Sequence, residues 1–155
     1  MANTKKLEDF IANLKQRQKA IIPELVAETA TAFFKERFSL KQDPDGHAWL
    51  PTKKTVKKGS LMVRSGALVN SIRPTVIDAK RVRISAGNRK VPYARVHNEG
   101  GTIKRDKRFN WADADKAKKA ENTEYIITIP PRTYMKHSQR LNIRILKRII
   151  DNLNT

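Results

Sequence analysis

Three histidines, His47, His97 and His137, are the residues of this chain best placed by type for metal or proton chemistry. Zinc needs ligands that converge on a tetrahedron, and none of the three has a second histidine at helical or hairpin spacing. Cysteine is absent, which excludes thiolate sites and disulfides and fits a reducing compartment. His97 and Glu99 are two residues apart, a spacing that does not bring side chains face to face on a helix. A second constellation is Pro44-Asp45 followed by Asp78-Ala79-Lys80, which imitates the paired carboxylates and lysine of a metal-dependent nuclease. Such a site needs both acids on adjoining strands. Asp45 instead falls in a Pro/Gly turn and Asp78 borders a hairpin turn, and turn chemistry explains each. No glycine-rich phosphate loop and no Gly-x-Ser-x-Gly elbow is present. The expectation is a non-enzyme with no cofactor and no metal.

Charge is the other chemical signal. Lysine and arginine number 33 against 15 acidic residues, a formal net charge of +18. That field attracts polyanions, either nucleic acid or an acidic protein surface. Lys53, Lys54, Lys57 and Lys58 form one basic run, and Lys104, Arg105, Lys107 and Arg108 a second. All eight are candidate phosphate contacts, although a solvated charge run is the plainer reading of the first group. Phe109 and Trp111 follow the second run. Aromatics among basic residues suit stacking on single-stranded bases, and they equally suit tacking a long excursion to the body or to a neighbouring subunit. Flexible basic loops are expected near 52–60 and 104–122.

The elements that must position these groups follow from periodicity. Leu7, Phe10, Ile11 and Leu14 predict a helix over Lys5–Lys19, basic at its end. Pro23 opens a second helix to Phe38, with Val26, Ala30, Phe33, Phe34 and Phe38 as a core stripe. Asp43-Pro44-Asp45-Gly46 is a turn, and Trp49 behind it anchors the loop to the core. Ser65 is the expected N-cap of a short helix holding Leu68, Val69 and Ile72. Thr75–Asp78 and Arg81–Ala86 form a hairpin, with Val82, Ile84 and Ala86 on its inner side. Gly87-Asn88 turns the chain into a short helix begun by Pro92, carrying Tyr93 and His97 and ended by Gly100-Gly101. Glu124–Ile129 is a strand stopped by Pro130-Pro131. A long helix over Arg132–Leu153 closes the chain, with Leu141, Ile145, Arg148 and Ile149 on one side and Ile143, Leu146 and Ile150 broadening its apolar face. The fold class is α+β, with N-terminal helices, a small mostly antiparallel sheet and a long C-terminal helix in one domain over 1–155. No run of residues has the length and apolarity of a membrane span or signal peptide.

Four motifs in fixed order carry a resemblance: Asp43-Pro44-Asp45-Gly46 with Trp49; Arg64-Ser65-Gly66 with Leu68 and Ser71-Ile72; Tyr93-Ala94 with His97-Asn98 and Gly100-Gly101; and Ile129-Pro130-Pro131-Arg132 with Tyr134. The chain resembles the phage virion morphogenesis family, the tail completion proteins of Mu-like bacteriophages and prophages. Where that family often has Ile-Pro-Ala-Arg-Pro-Phe, this chain has Ile129-Pro130-Pro131-Arg132-Thr133-Tyr134, and the excursion from Lys104 to Glu121 is its own. The resemblance implies a structural part acting in tail completion or head–tail joining, in the virion and, during assembly, in the host cytoplasm. It implies partners among tail or connector proteins and a homo-oligomeric ring, with Trp49, Arg64, Tyr93, His97, Arg132 and Tyr134 as interface or loop-anchoring candidates. The alternative is a sequence-independent DNA-binding protein of a mobile element, and the remote one a nuclease.

Overall fold

Phe33, Phe34 and Phe38 lie on one side of the first helix, and the rest of the core is laid against them. The computed structural model describes residues 2–52, 59–105 and 125–153. Lys53, Lys54, Lys57, Lys58, Lys107, Arg108, Phe109 and Trp111 fall outside the described residues. The first helix, α1 (Ala2–Leu40), is one helix running through Pro23 rather than two. The sequence predicts two because the residue before a proline is disfavoured in the α region, a bias that this helix overrides at Pro23. At 100° per residue the Phe10/Ile11 stripe points roughly opposite to the Phe33/Phe34/Phe38 stripe. A phase change re-aims the two halves without breaking the helix, and Phe10 and Ile11 are exposed while Phe33, Phe34 and Phe38 are buried.

Past α1, the chain makes the expected turn at Asp43–Gly46. Asp43 Oδ1 accepts the N–H groups of Asp45 and His47, and Gly46 takes φ +95°. Trp49 then enters the core and meets Phe38 edge-on, with ring centroids 5.4 Å apart. The one-turn helix α2 (Ala67–Asn70) has Gly66, at φ 74°, as its N-cap instead of Ser65. Ser65 Oγ accepts the Ala67 N–H at 3.4 Å from one position further out, and Ile72 lies beyond the helix, buried.

The hairpin is as the alternation predicts. Strands β1 (Arg73–Asp78) and β2 (Arg81–Ser85) pair antiparallel, with a register shift between Val76 and Asp78. Val82 and Ile84 are half-buried while Arg81, Arg83 and Ser85 are exposed. The hairpin packs on α1. After α3 (Ala94–Glu99), Gly100 turns the chain at φ 79°, where a Cβ would sit 3.0 Å from Pro131. The expected loop does not begin there. Residues Gly101–Arg105 form β3 and pair antiparallel with β4 (Tyr125–Ile129), from Gly101↔Ile129 to Arg105↔Tyr125. Lys104 and Arg105 therefore belong to a strand, and the described sheets are two separate two-stranded ribbons.

The last helix, α4, runs Gln139–Leu153, shorter by seven residues than the expected start at Arg132. Residues 132–138 are irregular because their polar groups bond across the fold, to Asn98, Leu50 and Pro51, instead of up a helix. Leu141 is buried and Ile145 and Ile149 half-buried, while Glu36–Arg144 and Glu28–Arg148 pair α1 with α4. Ile143, Leu146 and Ile150 do not widen the inner face: they stand exposed on the outer one.

Candidate functional site

The residues that hold the site together come from the Asp43–Pro51 loop, α3 and the irregular segment 132–138. Trp49 Nε1 donates to the Thr133 carbonyl at 3.0 Å, and Arg132 Nε and Nη2 donate to the carbonyls of Leu50 and Pro51 at 2.9 and 3.3 Å. Ser138 Oγ donates to the Pro44 carbonyl at 3.0 Å. Four hydrogen bonds thus stitch one loop to one segment far along the chain. Tyr134, 1 % exposed, packs on Phe38 and donates its hydroxyl to the Ala94 carbonyl at 3.0 Å. Burial, with the charge of Glu99 adding to it, pushes its phenol up to about 12.

Asn98 was not singled out as a site residue, yet it is the hub. Its Oδ1 accepts the N–H groups of Tyr134 and Met135 at 3.0 and 2.9 Å, and its Nδ2 donates to the Met135 carbonyl at 3.0 Å. Its own carbonyl accepts the Thr133 hydroxyl at 3.1 Å. An asparagine two residues ahead of the Gly100-Gly101 pair is the signal in the sequence, but it names no partner.

Four of the six sequence-predicted residues meet in one place. Arg64, Tyr93, His97 and Arg132 line a cleft of about 330 Å³ between the loop around Ser60–Ala67 and α3. Trp49 and Tyr134 do not reach it and lie in the core. The Tyr93 and His97 rings meet edge to face with centroids 5.5 Å apart. His97 Nδ1 is buried and has no hydrogen-bond partner among the described residues. Burial first, and the charge of Arg132 second, hold the His97 pKa below the ordinary imidazole value of 6.5. A depressed histidine binds its proton in the unfolded chain before it does so in the folded one. Its effect on stability is therefore absent well above pH 6.5 and grows as a loss when pH falls below that value. In urea titrations, His97→Gln is expected to flatten the decline between pH 7 and 5, before the carboxylates titrate. An equal decline in the variant contradicts this.

The carboxylates themselves are occupied structurally. Asp43, Asp45 and His47 offer oxygen and nitrogen atoms within 4.8 Å of one another. Lys136 Nζ sits 2.9 Å from Asp43 and 2.7 Å from Asp45, where it supplies the positive charge that a cation would bring. Although burial pushes Asp43 up, bonds from Lys136 and His47 outweigh it and hold the carboxyl far below the carboxylate range. Asp78 is not in this group. It accepts the Lys80 N–H and the Arg81 Nε–H across the β1–β2 turn, which lowers its pKa. The two acids of the nuclease-like pattern serve two different turns.

Among the described residues no helix is long and apolar enough to cross a membrane. The sequence model of the phage virion morphogenesis family matches residues 2–154. No curated protein and no solved structure matches the chain.

Proposed function

The chain belongs to the phage virion morphogenesis family, and we propose that within it this protein is a non-enzymatic subunit of tail completion or head–tail joining. The observation that carries the reading is the family match over residues 2–154, nearly the whole chain. The polar groups support it. Asp43, Asp45, Asp78, Asn98 and Arg132 are engaged in turns and cross-links of the fold. Rigid elements bearing basic surface suit a part that is held by neighbours in a ring and docked on an acidic tail or connector protein. Its place is the virion, reached from the host cytoplasm during assembly. The charge favours one second reading, sequence-independent contact with DNA, whose affinity would fall steeply with salt.

Deleting the gene from its phage is expected to leave DNA-filled capsids with separate tails or tails of abnormal length. Complementation with Asp45→Asn or Asp78→Asn is expected to restore joined particles, because neither acid does chemistry. Electron micrographs of lysates decide between outcomes. Normal particles from the deletion would sink the assembly role, and failure of the two carboxamide variants while folded would bring back the nuclease.

A further inference from the structure

We propose that the cleft between the Ser60–Ala67 loop and α3 is a receptor for one carboxylate side chain on an acidic segment of a partner protein. This deepens the assembly role above and rests on it for the partner. Arg132 lines the cleft at 7 % exposure, and among the described residues its guanidinium donates to two neutral carbonyls. No carboxylate of the described residues pairs with it, and none lines the cleft. Two carbonyl dipoles orient a guanidinium without cancelling its charge, and the planar fork keeps donors for a further acceptor. Arg64 adds a second positive charge on the same cleft. His97 adds a buried ring nitrogen, Nδ1, with no partner among the described residues. The remaining wall includes Leu61, Met62 and Leu68, against which an alkyl stem can pack. A recessed cation with no carboxylate beside it among the described residues binds an anion more strongly than the same cation in water.

The geometry favours protein over nucleic acid as the source of that anion. Duplex phosphates lie on a convex surface and are met by projecting side chains. A nearly buried arginine in a concave site of this volume is within reach of a glutamate or aspartate on its own stem. An acidic loop of a partner therefore supplies both the charge and the apolar flank.

The test uses the whole protein, labelled with ¹⁵N, and an acetylated, amidated peptide with a single glutamate between leucines. Its glutamine counterpart and inorganic phosphate are the comparators. The glutamate peptide is expected to shift the amides of Ser65, Tyr93 and His97 saturably and to raise the His97 pKa, since it brings a negative charge to that ring. The glutamine peptide is expected to bind roughly tenfold more weakly, the size of one charge-assisted hydrogen bond. Arg64→Gln, at an exposed residue, is expected to keep the fold and to weaken the glutamate peptide several-fold. Equal binding of both peptides, shifts confined to residues away from the cleft, or no effect of Arg64→Gln would each overturn the proposal. Phosphate that binds as tightly and displaces the peptide would overturn the choice of a protein carboxylate. The titration bears on the cleft alone and the phage deletion on the assembly role alone, so the two failures are distinguishable.

Discussion

Trp49→Ala is expected to lower stability by roughly 3–5 kcal/mol, the usual range for deleting a buried indole. The ring is 7 % exposed, meets Phe38 edge-on and spends its N–H on the Thr133 carbonyl. Truncation opens a cavity beside Phe38 and leaves that carbonyl without its donor. Trp49→Phe separates the two effects, since it keeps most of the packing and loses only the hydrogen bond. Urea unfolding followed by circular dichroism reads both, with Trp49→Phe losing about 1–2 kcal/mol. A Trp49→Ala variant within about 0.5 kcal/mol of the parent would show that the loop is not fastened to the core by this residue.

Asn98→Ala is the second large effect. One small side chain satisfies two backbone donors and one backbone acceptor of the segment after Arg132. Its removal strands all three in a partly buried place, at a cost of roughly 2–5 kcal/mol. Asn98→Asp keeps the two accepted bonds and turns the third contact repulsive, so an intermediate loss is expected. Hydrogen exchange gives the specific signature: the amides of Tyr134 and Met135 lose protection in Asn98→Ala before the helices do. Unchanged protection at those two amides would contradict the hub role, whatever the global stability does.

What the sequence made legible was local. The β1–β2 hairpin could be placed from Val82 and Ile84 alternating with arginines, because a two-stranded ribbon with one covered face leaves that trace. The turn before Trp49 could be placed from Asp-Pro-Asp-Gly alone. In α1 the stripe after Pro23 is the core face that its spacing predicts, while Phe10 and Ile11 stand exposed, and a proline that predicts a new helix lies inside a continuous one. The segment 132–138 was taken for helix because its composition permits one. The bonds that tie it across the fold run to residues 35 to 94 positions away, which no periodicity encodes. The cleft belongs to the same class. Arg64, Tyr93, His97 and Arg132 could be nominated from their motifs, yet nothing in those motifs says that they share a wall. Strand β3 was hidden for another reason: paired with β4, it is a ribbon whose two halves are separated by a long polar stretch.

The stitch between the Asp43–Pro51 loop and the Arg132–Ser138 segment also sets a schedule for biosynthesis. Trp49 leaves the ribosome 84 residues ahead of the carbonyl to which it bonds. At bacterial elongation speeds that gap is about 4–17 s. During that interval α1 is complete while Tyr134 and Leu141, which cover Phe38 and its neighbours, have not yet been made. The nascent chain thus holds a three-phenylalanine face that Trp49, Leu68 and Ile72 cover only in part until Tyr134 and Leu141 arrive. Apolar surface left part-covered in this way is prone to association until the last segment closes over it.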